Sequence, residues 1–130
     1  MNRLHKNLLT GTIGELLVQL RLLQCDVQSV SPHKDTGNDL LAVRGEIFKA
    51  LQIKTTRSID EPIRFDHHET MARLFHILAL VFLVGEERRV DLDRCSVYLL
   101  PKGDVGKGRY QHEELEDYRL TPEHVDRLFC

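Results

Sequence analysis

An uninterrupted apolar segment, residues 77–84, constrains the fold of this chain more than any other feature of its sequence. Its eight residues are too few to cross a membrane, which takes about 20. They include β-branched side chains and no polar one, which is typical of a strand buried on both faces of a sheet. A sheet covered on both faces predicts an α/β domain.

The other segments supply the layers around that strand. Helices are predicted over residues 8–24 and 66–75 and at the C-terminus. There, Thr121-Pro122 is a typical helix start. Strands are predicted over residues 27–30, 39–43, 47–55 and 95–100. The order α-β-β-β-α-β-β-α predicts a central mixed β-sheet flanked by helices.

The first helix carries an apolar periodicity with steps of four and three residues. The side chains predicted to form its buried stripe are Leu9, Ile13, Leu16, Leu20 and Leu23. Gly11 and Gly14 lower helix propensity, so we expect this helix to lie close against other backbone. In an alternative interpretation, Thr10 caps the helix, which then starts at Gly11.

Length and charge limit the class of protein. The 130 residues suit one domain, residues 1–130. Net charge is −2, so contact with nucleic acid would need a local basic face. The three cysteines are far apart, which favours a reducing compartment. The N-terminus does not resemble a signal peptide, so we expect a cytoplasmic protein that does not enter a membrane.

Residues 39–43 and 47–55 are predicted to pair as a hairpin. A two-residue turn at Gly45-Glu46, with Gly first, suits type II′ geometry. Arg44 then lies opposite Ile47. A three-residue turn would shift this register by one residue.

The two-residue turn clusters polar side chains at the open end of the hairpin. Asp39 faces Gln52, Lys54 shares their face, and Ile53 points into the core. Mg²⁺ binds carboxylate and carbonyl oxygens, which Asp39 and either the Gln52 side chain or the Ile53 carbonyl can supply. Glu15 could complete the metal shell. Lys54 could steer a water molecule or stabilise negative charge in phosphodiester hydrolysis.

Three short motifs resemble the PD-(D/E)xK nuclease superfamily: Gly11-x-x-Gly14-Glu15, Gly37-Asn38-Asp39-Leu40-Leu41 and Leu51-Gln52-Ile53-Lys54. The resemblance spans about residues 8–84 and implies a restriction-endonuclease-like αβββαβ core. It assigns metal binding to Glu15, Asp39 and Gln52, and positioning of the nucleophile to Lys54. Asn38 stands where the family often has Pro, and Gln52 where it more often has Glu.

The resemblance implies a Mg²⁺- or Mn²⁺-dependent endonuclease that hydrolyses DNA. It also implies a homodimer, because cutting two strands needs two sites. The interface would be the exposed surface of the second or the C-terminal helix. The alternative is a catalytically inactive nuclease-fold module that binds DNA or protein, and a third interpretation is an assembly protein with no nucleic-acid role.

Several basic residues are candidates for contact with nucleic acid. His33 and Lys34 precede Asp39, and Arg57 follows the site strand. Arg64 and Arg73 could extend a basic face, although solvated surface arginines are common. The basic, Gly-rich loop over residues 102–109 is either a flexible turn or a hairpin that contacts phosphate.

Overall fold

A computed structural model describes residues 3–32 and 39–130 of the chain. The predictions for His33 and Lys34, and the motif positions Gly37 and Asn38, lie outside the described residues. The fold is α/β, as predicted, with a mixed central sheet. None of the helices in the described part combines the length and apolar character that crossing a membrane requires.

The described residues form three α-helices, nine strands and two short 3₁₀ helices. In chain order the helices and strands are α1 (Lys6–Leu23), β1 (Gln28–Val30), β2 (Leu40–Arg44), β3 (Ile47–Thr56), β4 (Ile63–Arg64), α2 (His67–Met71), β5 (Ile77–Phe82), β6 (Gly85–Glu86), β7 (Arg89–Val90), β8 (Ser96–Pro101), β9 (Arg109–Tyr110) and α3 (Pro122–Leu128). The 3₁₀ helices are η1 (Lys102–Asp104) and η2 (His112–Tyr118).

The central sheet has the strand order β1-β2-β3-β5-β8. β3 and β5 run parallel, and the other neighbours are antiparallel. The predicted hairpin register is confirmed, since Arg44 pairs with Ile47. Gly45 has a φ of 61°, the left-handed conformation that a type II′ turn requires at its first central residue.

Helices and loops cover the two faces of the sheet. α1 and α3 pack on one face through a first hydrophobic cluster that includes Leu22, Leu51 and Val125. Irregular segments cover the other face through a second cluster that includes Leu80 and Tyr98. Every residue of β5 is buried, which confirms the prediction that the apolar segment is a central strand.

The predicted buried stripe of α1 is partly wrong. Leu16, Leu20 and Leu23 are exposed. The residues of α1 that are buried are Gly14, Leu17, Val18 and Leu22. Leucines occur on every side of this helix, so periodicity alone did not identify the side that meets the sheet.

The start of α1 and the end of α2 also differ from prediction. His5 caps α1 by accepting from the Asn7 N–H, so the alternative start after Thr10 is wrong. α2 begins after Asp66, as predicted, but ends well before residue 75. The reason lies at His76, whose N–H donates to the Ala50 carbonyl and whose Nδ1 accepts from the Ala50 N–H. The chain must become extended to make these bonds.

Only one of the two α1 glycines lies against another element. A Cβ at Gly14 would stand 2.0 Å from Thr55 Oγ1 and 2.9 Å from Thr55 Cβ, whereas a Cβ at Gly11 would meet nothing within 4 Å. The close approach therefore joins the helix to a side chain of β3 rather than to backbone. It fixes the height of α1 above the sheet next to Glu15.

We predict opposite effects of the two Gly→Ala substitutions in α1. Gly14→Ala should lower the free energy of unfolding by about 1–3 kcal/mol, because the methyl group overlaps Thr55. Gly11→Ala should raise it by about 0.5–1 kcal/mol through helix propensity. Urea unfolding followed by circular dichroism measures both, and stabilisation by Gly14→Ala would contradict the contact with Thr55.

Candidate active site

The candidate site lies just before the first residue of β2, where β3 continues beyond the paired region. Leu40, the first residue of β2, pairs with Leu51, while β3 runs on to Thr56 beside β5. A cleft of about 560 Å³ opens between this part of β3 and α1. Its lining includes Glu15, Asp39, Ile53 and Arg57.

Asp39 is bonded to the edge of β3 through its backbone and its side chain. Its N–H donates to the Leu51 carbonyl at 2.9 Å. Its Oδ2 accepts from the Ile53 N–H at 2.7 Å and from Gln52 Nε2 at 3.0 Å. If β2 began earlier, one of its backbone carbonyls would accept the Ile53 N–H. The Asp39 carboxylate accepts it instead.

The backbone of Ile53 points toward the same edge. The N–H and C=O of one strand residue point to the same side, and the Ile53 N–H points to Asp39. The Ile53 carbonyl therefore points to the β2 side of β3, beyond the first residue of β2. Its side chain packs against the first cluster, as the alternation predicts.

Gln52 is buried behind Asp39. The residue is 3% exposed, and its Oε1 makes no hydrogen bond with any residue that the structure describes. A buried polar atom without a partner is costly. This oxygen is therefore suited to donate a lone pair to a ligand such as a cation.

Glu15 reaches the cleft from α1. Ser31, just after β1, donates a hydrogen bond from Oγ to Glu15 Oε1, which orients the carboxylate. Glu15 and Asp39 approach the cleft from a helix and from the sheet edge. They are close enough for the charge of Glu15 to act on Asp39.

Burial raises the pKa of Asp39, and the negative charge of Glu15 adds to this effect. The hydrogen bond from the Ile53 N–H and the positive charges of Lys54 and Arg73 act in the opposite direction. Asp39 sits at the edge of the sheet, so it interacts with Glu15 on one face and with Lys54 on the other. A carboxylate with a raised pKa beside a second carboxylate is well suited to bind a cation.

Lys54 lies on the opposite face of β3 from α1. It shares its face with Gln52, and its Nζ is 5.8 Å from the centre of the Phe65 ring. Burial lowers the pKa of Lys54, and the nearby charge of Arg73 lowers it further. Lys54 approaches Asp39 from the face remote from the cleft.

Arg57 closes one end of the cleft. Its Nη1 forms an ion pair with Glu87, in the turn between β6 and β7, at 3.3 Å. That nitrogen is buried and makes no well-directed hydrogen bond to the described residues. A positively charged group is thus held at the rim of a cleft that contains two carboxylates.

Several residues of the site were not predicted from the sequence. Thr55 could have been found, because alternation along β3 places it on the face that α1 covers. Ser31 and Phe65 gave no signal, since their positions depend on the tertiary structure. The other unpredicted polar residues that line the cleft are Asn7, Thr10, Thr12, Thr56 and Glu61.

The donors at the cleft fit a hard cation better than a transition metal. In residues 3–32 and 39–130, no three His, Cys, Asp or Glu side chains converge as a metal-binding group. Glu15, Asp39 and Ile53 line the cleft and offer carboxylate and carbonyl oxygens, while the partnerless oxygen of Gln52 lies behind Asp39 on the Lys54 face of β3. A set of oxygen ligands, completed by water and substrate, is what Mg²⁺ prefers.

We predict that Asp39→Asn stabilises the metal-free protein near neutral pH. The raised pKa means that the folded protein holds this proton more tightly than the unfolded chain. The stabilising effect of this proton is complete below pH 3.8, the ordinary pKa of the carboxyl group. It is lost as pH rises through the raised pKa of Asp39 in the folded protein. The substituted amide is neutral throughout and keeps an acceptor oxygen, so its advantage should disappear in acid.

Thermal unfolding of both proteins in chelator across this pH range tests the prediction. Asp39→Ala is the matched control, since it leaves the Ile53 N–H and the Gln52 amide without an acceptor. It should cost about 1–3 kcal/mol. Equal pH dependence of wild type and Asp39→Asn would show that Asp39 titrates normally.

Comparison with known proteins gave no match to a family model, to a curated protein or to a solved structure. The function of the cleft must therefore be inferred from its own residues. Glu15 and Asp39 supply negative charge, Gln52 and Ile53 supply neutral oxygens, and Lys54 supplies a partly buried amine. Asp39 lies at the edge of β3, with Glu15 on one face of the strand and Gln52 and Lys54 on the other.

Proposed function

We propose that the cleft is the site of a Mg²⁺- or Mn²⁺-dependent endonuclease that hydrolyses DNA, of the PD-(D/E)xK type. The observation that carries the proposal is the bonding of Asp39 to β3. Its carboxylate accepts from Gln52 and Ile53, beside a buried amide oxygen that has no partner among the described residues.

The fold is compatible with this proposal. Apart from β4, which lies between β3 and α2 but outside the central sheet, the elements α1, β1, β2, β3, α2 and β5 follow the order αβββαβ that the resemblance implies. Of the described motif residues, Glu15 falls on the helix, Asp39 immediately before the second strand, and Gln52 and Lys54 on the third strand, which agrees with the order in that superfamily. The restriction-endonuclease-like core is therefore part of the proposal.

Four groups would hold the cation: the Glu15 and Asp39 carboxylates, the Gln52 Oε1 and the Ile53 carbonyl. A bound Mg²⁺ neutralises phosphate charge and lowers the pKa of a bound water molecule. The chain orients these groups in advance. Ser31 holds Glu15, and two β3 hydrogen bonds hold Asp39.

Lys54 would position the attacking water molecule and stabilise the negative charge that develops on the phosphate. Such electrostatic stabilisation is strongest where water is excluded. The side chain is partly buried and lies beside the Phe65 ring. Its lowered pKa, caused by burial and by Arg73, makes it a better proton donor than an exposed lysine.

A second candidate function is a nuclease-fold module that binds DNA or protein without cutting. The neutral amide of Gln52 favours it, because the cleft then has only two predicted carboxylate ligands. Such a module would keep the nuclease fold but would not hydrolyse phosphodiester bonds. Cleavage assays separate the two functions.

The proposal also carries two expectations from the sequence. Cutting both strands of a duplex needs two sites, so it includes a homodimer. DNA as substrate agrees with the expected cytoplasmic location.

We predict metal-dependent cleavage of supercoiled, branched or single-stranded DNA by the wild-type protein. Asp39→Asn and Lys54→Gln should each reduce the rate by about 100-fold or more, since each removes a charge from the reacting centre. Gel analysis with Mg²⁺, with Mn²⁺ and with chelator measures the effect.

Lys49→Gln is the matched control, because Lys49 lies on the same strand and opposite Ala42, nearer the hairpin turn. It should leave the rate unchanged. If wild type binds these DNAs but cuts none, the non-catalytic module is favoured. If Asp39→Asn and Lys54→Gln cut as fast as wild type, the site assignment is wrong and a copurified nuclease explains the cleavage.

A further inference from the structure

A small two-stranded ribbon, β4 paired with β9, lies outside the central sheet. Ile63 pairs with Tyr110 and Arg64 pairs with Arg109. Ile63 and Tyr110 are buried in the second cluster, so the alternation of the strands turns both arginines outward. Both are exposed.

The two arginines oppose each other without an acidic partner. Directly opposed residues of an antiparallel pair have β-carbons about 5 Å apart, and like charges there are destabilising. Neither arginine forms an ion pair with any residue that the structure describes. The charge of Arg109 acts on the neighbouring acid Glu114, but the hydrogen bonds to that carboxylate come from Lys107 and the Gln111 N–H. An anion bound between the arginines would relieve their repulsion.

The ribbon is held rigidly. The Phe65 N–H donates to the Gly108 carbonyl at 2.9 Å, and a Cβ at Gly108 would stand only 2.3 Å from the Phe65 carbonyl oxygen. The Tyr110 hydroxyl accepts from the Gly106 N–H at 3.0 Å. The basic loop contains η1 and runs into β9, which pairs with β4 rather than within the loop; its contact with phosphate stays a prediction.

The ribbon also lies on the same side of β3 as Lys54. Phe65 directly follows β4 and stacks on Tyr110, with ring centres 6.3 Å apart. The Lys54 Nζ is 5.8 Å from the centre of the same Phe65 ring. One aromatic side chain therefore links the arginine pair to the candidate catalytic lysine.

We propose that Arg64 and Arg109 bind the phosphate backbone of a nucleic-acid strand on the Lys54 side of the site. The phosphates contacted would flank the bond that is cut, and this part of the inference rests on the proposed nuclease function. Guanidinium groups suit the role, because they bind phosphate oxygens through paired hydrogen bonds. The acidic net charge of the chain is no obstacle, since the basic groups form a local face.

The test measures binding without cleavage. Fluorescence anisotropy in chelator would follow short labelled single-stranded DNA, duplex DNA and RNA over a series of salt concentrations. The variant is Arg64→Gln with Arg109→Gln. Each lost phosphate contact should reduce the slope of log affinity against log salt by about 0.7–0.9. We expect weaker binding and a smaller slope for at least one of the three nucleic acids.

A charge-matched control is Arg94→Gln with Arg127→Gln. Both arginines are exposed. Arg94 precedes Cys95 and Arg127 lies in α3, and both segments contribute to the first cluster, away from the ribbon. The control should bind like wild type. Without nucleic acid, the ribbon variant should melt at the same temperature as wild type or higher, because a repulsion has been removed. A lower melting temperature would indicate a structural role and would overturn the inference.

The outcomes for the ribbon and for the nuclease are distinguishable. An unchanged salt slope in the ribbon variant, or no binding by wild type, would overturn the phosphate-binding inference whatever the cleavage assays give. A reduced slope in a protein that cuts no nucleic acid would support the ribbon as a phosphate-binding surface and contradict the nuclease.

Discussion

The hydrogen bonds that tie the Asp39 carboxylate to β3 are the interaction on which the candidate site depends. The pairing of β2 with β3 begins at Leu40 and Leu51, two positions before Ile53 along β3, and the Asp39 side chain accepts the Ile53 N–H in place of a carbonyl. The same bond holds the carboxylate at the edge of the sheet. Glu15 reaches it from one face and Lys54 from the other, so one strand end gathers groups that the sheet would otherwise separate.

This arrangement has an electrostatic cost in the metal-free protein. Asp39 loses solvent and lies near Glu15, and both effects raise its pKa. Gln52 keeps a buried oxygen without a partner among the described residues. The close approach of α1 to Thr55 at Gly14 sets how near Glu15 lies to β3. A divalent cation would offset the burial of Asp39, its repulsion with Glu15 and the missing partner of the Gln52 oxygen. The proposed function therefore includes a divalent cation.

The sequence predicted best what local geometry determines. Gly45 allows a two-residue turn, which sets the pairing of β2 with β3 and so brings Asp39 next to Gln52, while alternation along β3 places Gln52 and Lys54 on one face. The buried strand β5 followed from its apolar run. The faces of α1 could not be predicted in the same way. Its leucines surround the helix, and Gly14 rather than a leucine marks the line of closest approach.

Other features depend on contacts between distant segments. β4 and β9 are two residues each, too short to give an alternating pattern, and their pairing brings Arg64 to Arg109 from a distant part of the sequence. The early end of α2 reflects hydrogen bonds between His76 and Ala50. No local signal in the sequence encodes either pairing.

Anomalous diffraction from crystals of the protein soaked in Mn²⁺ tests the central claim most directly. We expect a manganese peak in the cleft, bound by Asp39 and Glu15 with the Ile53 carbonyl and the Gln52 Oε1 as further ligands. Asp39→Asn should abolish or greatly weaken that peak. A cleft without manganese, or manganese bound only elsewhere on the protein, would contradict the account.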